Sequence, residues 1–359
     1  MNLLELFNSK NWRTELHENG VKVQERDGYV LVKYTFGETD FSKEWALECR
    51  GHILKQKENG EWVFVCRPFD KFFNYGEACA AHIDWSSACV TEKIDGSLIK
   101  LWYDDNKWNL STNGTINAFK TMINDDLSFG ILFERAVGAR IKDFAKDLDK
   151  DFTYLFELTS PFTQVIISYE LKVWYLGCRN TKTGIEIFDQ LYIPNTYLPK
   201  IFNLSNFNDV LKVVNAMSKD EEGVVVKDKF NNRIKVKSSE YLIAARLINN
   251  NIITARRVLE MIRDNSLDDF ISYCPHHKDY VDSILKIYFE CARHLEEEWF
   301  KYKILLDIKV DDKIYAEHIK NSDAKAYLFS KKLHPNLTPT AYLNSISIPA
   351  LMRMLKIKK

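Results

Sequence analysis

The stretch Glu92-Lys93-Ile94-Asp95-Gly96-Ser97-Leu98-Ile99 decides how this chain folds around its chemistry. Cys89-Val90-Thr91 before it and Leu98 to Tyr103 after it are rich in β-branched, aliphatic and aromatic residues and predict two strands. Asp95-Gly96 between them predicts a tight hairpin turn. A lysine just ahead of such a turn sits at the rim of a sheet, where a phosphate can reach its amine. By itself it is equally an ordinary exposed hairpin lysine, so the remainder of the chain has to decide.

Outward from this point the pattern stays mostly β. Tyr29 to Phe36, Trp62 to Cys66, Tyr154 to Leu158, Val173 to Cys178, Gly223 to Lys227 and Arg233 to Val236 carry strand composition. Turn signals stand at Glu58-Asn59-Gly60, Asp104-Asp105-Asn106 and Thr112-Asn113-Gly114. Between Ile116 and Leu148 the apolar residues recur at helical spacing, among them Leu132, Phe133, Ile141, Phe144, Ala145 and Leu148. After Ser239 the character changes. Tyr241 to Asn250, Ile253 to Arg263, Tyr280 to Leu306 and Lys313 to Leu328 are amphipathic, and no glycine follows Gly223. The expected class is α+β, with a mixed domain over 1–240 and an all-helical domain over 241–359.

The 359 residues, 46% hydrophobic and 28% charged, suit a globular chain with room for two domains. Fifty basic residues balance fifty acidic ones, so a polyanion would have to be held by a local patch. Residues 241–359 hold 19 Lys+Arg against 15 Asp+Glu, a weak basic bias. Seven cysteines without a C-x-x-C pair argue against a zinc site or a disulfide framework and fit a reducing cytoplasm, or host cytoplasm for a viral protein. The opening Met1 to Leu6 is too short and acidic for a signal peptide, and no apolar run approaches the roughly 20 residues of a membrane span. The eight histidines show no ligand or triad spacing.

Further pieces stand along the chain at suggestive places. Leu47-Glu48-Cys49-Arg50-Gly51 and Arg67-Pro68-Phe69-Asp70-Lys71-Phe72-Phe73-Asn74 lie upstream. Phe156-Glu157-Leu158, Glu221-Glu222-Gly223-Val224-Val225 and Ile234-Lys235-Val236-Lys237 lie downstream. Strand alternation puts Lys235 and Lys237 on one face, with Ile234 and Val236 on the other. A cationic pair beside a nucleophilic lysine is what a nucleoside triphosphate requires.

The order K-x-D-G, F-E, E-G-x-V, K-x-K resembles the covalent nucleotidyltransferases, the polynucleotide ligases and RNA capping enzymes. Ala46 to Gly51 and Arg67 to Asn74 narrow the resemblance to the RNA ligase 1 group of T-even bacteriophages. It covers most of residues 30 to 240 and continues faintly beyond. It implies a nucleotidyltransferase (ATP-grasp-like ligase) domain of antiparallel sheets with flanking helices, followed by a helical domain that reads RNA, such as cleaved tRNA. It also implies ATP and RNA as substrates, and an end-healing kinase/phosphatase as a partner. Capping enzymes carry a β-barrel after K-x-K, and nothing after Ser239 has that pattern. A GTP-using guanylyltransferase and a non-catalytic RNA-binding relative stay as alternatives.

The resemblance implies that Lys93 takes AMP from ATP, that the AMP passes to an RNA 5′-phosphate, and that a 3′-hydroxyl then displaces it. Lys235 and Lys237 would hold the α-phosphate and bias Lys93 toward the free amine. By the same resemblance Tyr34, Arg50 and Lys71 would grip the β- and γ-phosphates. Phe73, or else its neighbour Phe72, would pack near the nucleoside, with Phe72 favoured as plain core. Gly96 permits close backbone approach. Glu157 and Glu222 are the best carboxylates for Mg2+, with Mn2+ as an alternative, and Glu157 also suits the ribose hydroxyls. Glu92 joins the nucleotide-binding set at lower rank, and Asp95 is expected to fix the turn. Ser111-Thr112-Asn113-Gly114-Thr115 departs from the family, which carries a basic residue where Asn113 stands. Any phosphate contact there is weakened or relocated.

Overall fold

The computed structural model describes the chain except residues 36–37, 164–166, 168, 188–190, 219, 239–252, 265–266, 268–269, 272–276, 308–310 and 358–359. Its strands form three sheets. The first is an antiparallel meander of β1 (Val21–Arg26), β2 (Tyr29–Tyr34), β3 (Arg50–Gln56) and β4 (Trp62–Cys66). The third has the order β12-β6-β13-β14-β5, from β5 (Phe73–Asn74), β6 (Cys89–Glu92), β12 (Ile201–Phe202), β13 (Gly223–Lys227) and β14 (Arg233–Lys237). The second has the order β11-β10-β9-β7-β8, from β7 (Ser97–Asp104), β8 (Lys107–Thr112), β9 (Phe152–Thr159), β10 (Lys172–Asn180) and β11 (Glu186–Ile187). All pairs are antiparallel except β14 with β5.

The expected hairpin across Asp95-Gly96 does not form. β6 pairs with β12 and β13, whereas β7 pairs with β8 and β9, so Lys93 to Gly96 cross from one sheet to another. Gly96 has no positive φ among the glycines. A Cβ there would lie 2.7 Å from the Leu158 carbonyl oxygen and 3.0 Å from Glu157 Cγ, so glycine lets the crossing run against β9. Asp105-Asn106 behaves as its sequence suggests. Both residues take positive φ, 50° and 58°, and close the β7–β8 hairpin with Asp104 opposite Lys107.

Each sheet buries one face in its own cluster. Val90, Val224, Val226, Ile234 and Val236 pack with Val210 and Val214 of the helix Phe207–Asn215. Ile99, Leu101, Phe156 and Leu158 pack with Leu132 and Phe133 of the helix Phe129–Val137. Tyr29, Leu31, Ile53 and Trp102 join the first sheet to the second, and Lys55 Nζ reinforces this by donating to Asp104 Oδ2 at 2.8 Å.

The helices Ala255–Asp264, Lys278–Tyr302, Asp312–Ile319, Lys325–Leu333, Pro339–Ser345 and Ile348–Met354 share a separate core around Tyr288, Tyr315, Tyr327 and Leu351. The continuous helix expected over Lys313 to Leu328 is two, with Ser322 between them. The helical stretch from Ile116 is likewise interrupted, and Gly138 (φ 68°) ends the helix Phe129–Val137. Tyr241 to Asn250 and the boundary expected near 240 lie outside the described residues. The short helices Leu3–Phe7, Trp12–Glu18, Glu44–Glu48 and Phe207–Asn215 were not anticipated, because too few turns repeat to register a period. No described helix is long and apolar enough to cross a membrane.

Two cations fasten the helical part to the sheets. Lys33 Nζ of β2 donates to the Ile262 carbonyl at 3.2 Å, at the C-terminal end of its helix, where positive charge is favourable. Buried Arg263 donates to the Met122 carbonyl at 2.9 Å, the Leu343 carbonyl at 3.3 Å and the Ile346 carbonyl. Replacing Arg263 with Ala leaves these acceptors without their donor, and a buried unsatisfied group costs about 1–3 kcal/mol. We expect Arg263→Ala to lower unfolding free energy in urea by about 3 kcal/mol. A loss below roughly 0.5 kcal/mol, the scatter of ordinary surface substitutions, would remove Arg263 as the fastening.

Candidate active site

The crossing from β6 to β7 opens on the hairpin β13–β14. Register places Gly223 opposite Lys237 and Val225 opposite Lys235, so both lysines face away from the Ile234–Val236 core. Glu222, just before β13, is 2% exposed and lies between two ammonium groups. Lys93 Nζ donates to its Oε2 at 2.7 Å, and Lys237 Nζ lies 2.7 Å from its Oε1. Gly223 makes this possible. Its φ is 142°, and a Cβ would collide with the Val236 carbonyl oxygen and lie 2.7 Å from Lys237 Cα. The Lys93 N–H donates to the Gly223 carbonyl at 2.9 Å, which fixes the Lys93 backbone to the same glycine.

Glu157 enters from β9, opposite Leu98 of β7 and Trp174 of β10. Burial pushes its carboxyl up to about 8; Lys93 and Arg50 oppose the rise, and Glu222 and Asp95 add to it. A carboxylate kept from ionising by burial and by neighbouring carboxylates suits a cation, and with Glu222 it offers two oxygen ligand groups. Mg2+ keeps several waters and needs no more than one or two protein carboxylates. In this state Glu222 is engaged by the lysines, so a metal there competes with them.

The residues expected to grip the β- and γ-phosphates divide into two groups. Lys71 Nζ donates to Tyr34 Oη at 3.1 Å and sits 5.2 Å from the Phe73 ring centroid. Phe73 itself is buried edge-on to Phe41. Phe72 instead is partly exposed, with the Arg50 guanidinium 5.2 Å and Lys235 Nζ 5.6 Å from its ring centroid. The expectation of Phe72 as core is therefore corrected: it is partly exposed beside Arg50 and Lys235, whereas Phe73 is buried beside Lys71. Phe73 pairs in parallel beside Ile234, which turns its side chain into the packing.

Three other expectations change. Glu92 Oε2 accepts from the Lys200 N–H at 3.3 Å, so its carboxylate serves the edge strand rather than the lysine pair. Asp95 does not close a hairpin; its buried Oδ2 accepts from the Ile167 N–H at 3.1 Å. Asn113 is 6% exposed and packs on Gly51, so a side chain there points into the protein and not onto an open surface.

Some groups escaped the sequence. Among the described residues Glu48, His52 and Asp70 are the one trio of acidic or histidine side chains whose donor atoms converge, all within 4.8 Å. Guanidiniums already hold the two carboxylates, Arg67 at 3.2 Å from Glu48 and Arg179 at 2.8 Å from Asp70. Burial and those same arginines push His52 well below its ordinary 6.5. A dication there would face two fixed positive charges, so the two carboxylates read as the anionic halves of structural ion pairs with Arg67 and Arg179. No spacing in the sequence could have announced it, since its members come from separate segments.

The family model for RNA ligase matches residues 48–241. The chain belongs to the RNA ligase family. It is 28% identical over 292 residues to a protein of Autographa californica nuclear polyhedrosis virus assigned as a bifunctional polynucleotide kinase/RNA ligase. That match takes in 75% of this chain but 40% of the viral protein, so the chain spans well under half the relative's length. With the RNA ligase of Rhodothermus phage RM378 it shares 24% identity over 351 residues, 79% of this chain and 78% of the phage protein. An archaeal ATP-dependent RNA ligase structure aligns over 70% of this chain and 64% of its own, with 14% identity and a TM-score of 0.41.

The Glu157 environment has a pH consequence. The unfolded carboxyl releases its proton near 4.5, whereas the folded one keeps it up to about 8. Between these limits the native state binds more protons, so stability falls as pH rises. With metal removed by chelation, Glu157→Gln should match wild type near pH 4 and be the more stable protein near pH 9. Parallel melting curves for the two proteins across this range would exclude the assignment.

Proposed function

We propose that the chain is an ATP-dependent RNA ligase that joins 5′-phosphate and 3′-hydroxyl ends through a lysyl-adenylate on Lys93. The observation that carries this is the Lys93–Glu222–Lys237 group facing Glu157 in one cleft. Incoming triphosphate competes with Glu222 for both ammonium groups. Lys93 Nζ, having given up a proton, then attacks the α-phosphorus. The bond to pyrophosphate breaks as the phosphoramide bond forms. An oxygen of the RNA 5′-phosphate next attacks that phosphorus and the bond to Lys93 breaks, restoring the amine. Finally the 3′-hydroxyl loses its proton and attacks the 5′-phosphate, and AMP leaves.

Lys235 and Lys237 neutralise the oxygens of the phosphorus under attack in each step, since phosphoryl transfer depends chiefly on position and charge. Arg50, Lys71 and Tyr34 orient the departing pyrophosphate, and Phe72 flanks the nucleotide. Glu157 and Glu222 would hold a Mg2+ ion, which supplies further neutralisation of phosphate charge. The helical part, with its small basic surplus, reads the RNA, for which a cleaved tRNA stem-loop is the proposed form. A polynucleotide kinase activity, joined to the ligase in the baculovirus relative's assigned function, is the proposed source of 5′-phosphate ends.

Incubation with radiolabelled ATP should transfer label to the protein, and labelled GTP should not. Lys93→Ala should take no label and seal no 5′-phosphate end, while still sealing a strand supplied with a 5′-adenylate. Undiminished labelling of that variant would discard Lys93 as nucleophile. Transfer from GTP alone would make the chain a guanylyltransferase, and no transfer to the wild type would leave it a non-catalytic relative.

A further inference from the structure

Lys100 lies on β7 two residues beyond Leu98, whose cross-strand partner is Glu157. Alternation therefore puts Lys100 on the face of the second sheet that carries Glu157. It is 0% exposed, between Leu155 of β9 and Ser111 of β8. Its ammonium donates to the Gly51 carbonyl, directly after Arg50. Gly51 is held on other sides too. Its φ is 85°, and a Cβ there would lie 2.6 Å from the Asn113 carbonyl oxygen, 2.8 Å from Asn113 Oδ1 and 3.0 Å from Lys100 Nζ. Asn113 Oδ1 is itself buried without a hydrogen-bond partner.

A buried cation facing a single carbonyl is an expensive way to fill a core, and an apolar side chain of the same size would ordinarily serve stability better. Burial, with Arg50 adding to it, pushes the Lys100 amine down to about 8, a measure of that conflict. What the lysine does is fix one carbonyl on the strand that presents Arg50 over Phe72. We propose that Lys100 is the positioning residue for Arg50: by gripping the Gly51 carbonyl beneath the cleft, it sets the guanidinium where a nucleoside triphosphate needs it. This rests on the ligase reading above, in which Arg50 orients the pyrophosphate of ATP.

The test uses Lys100→Met, close in shape and without charge, in the full-length chain. ATP-dependent self-adenylation should show KM for ATP raised about tenfold with kcat within about twofold, the signature of lost uniform binding. Sealing of a pre-adenylated RNA strand, which needs the fold but no pyrophosphate, should stay within about twofold of wild type. Adding Lys100→Met to Arg50→Ala should cost nothing further, because residues acting through one another are not additive. Additive losses in that cycle, or an equal loss on ATP and on the pre-adenylated strand, would make Lys100 a core prop and overturn the proposal. A wild-type chain that takes no label from ATP while binding it would overturn the ligase reading itself, and this inference with it.

Discussion

A single carboxylate, Glu222, sits almost fully buried between the ammonium groups of Lys93 and Lys237, 2.7 Å from each. Removing one partner of such a buried ion pair costs about 3–5 kcal/mol, because the charge left behind is uncompensated. The arrangement holds two cations on one carboxylate, and under the proposed function a more highly charged anion would compete with Glu222 for both. Gly223 is its backbone counterpart. A residue with a Cβ would strike β14, and both the Lys93 N–H and the Glu222 side chain take their positions from that one strand start.

Around this group the protein places positive charge on aromatic faces. Phe72 lies beside Arg50 and Lys235, and Lys71 rests among Tyr34, Phe41 and Phe73. Each ring shields a cation from solvent without neutralising it, so the charge stays available to phosphates. Glu157 is the counterweight, a carboxyl whose ionisation burial opposes. Under the proposed function this balance of charges would receive a polyanion together with a metal ion.

The helical part is joined to the same region. Lys33 and Arg263 tie the helix Ala255–Asp264 to β2 and to Met122, and Gly114 lies so close that a Cβ would be 2.9 Å from Lys33 Nζ and 3.2 Å from the Arg263 carbonyl. The loop Asn113-Gly114 is therefore packed between helices and sheets. Asn113 belongs to that packing and to the Gly51 contact, with Lys100 Nζ beside Gly51 and Lys33 Nζ beside Gly114.

The sequence alone picked out the residues of the candidate site and much of their local conformation. Lys93, Glu157 and Glu222 stood out through the motifs K-x-D-G, F-E and E-G-x-V that carry the family resemblance, and local strand alternation put Lys235 and Lys237 on the face opposite Ile234 and Val236. The Asp105-Asn106 turn was equally legible, since its backbone angles depend on two residues. Tertiary structure decided the rest. Asp95-Gly96 had hairpin composition, yet the flanking strands found their partners about 60 and 130 residues away, and register with β9 and β13 outweighed turn preference. Phe72 and Phe73 are indistinguishable in composition, and only tertiary contacts bury Phe73 against Phe41 and Lys71 and leave Phe72 partly exposed beside Arg50 and Lys235. Lys100 sat unremarked in an apolar strand because its burial and its grip on Gly51 come from the first sheet folding over the second. Such contacts join segments far apart in the chain, and no periodicity within either segment records them.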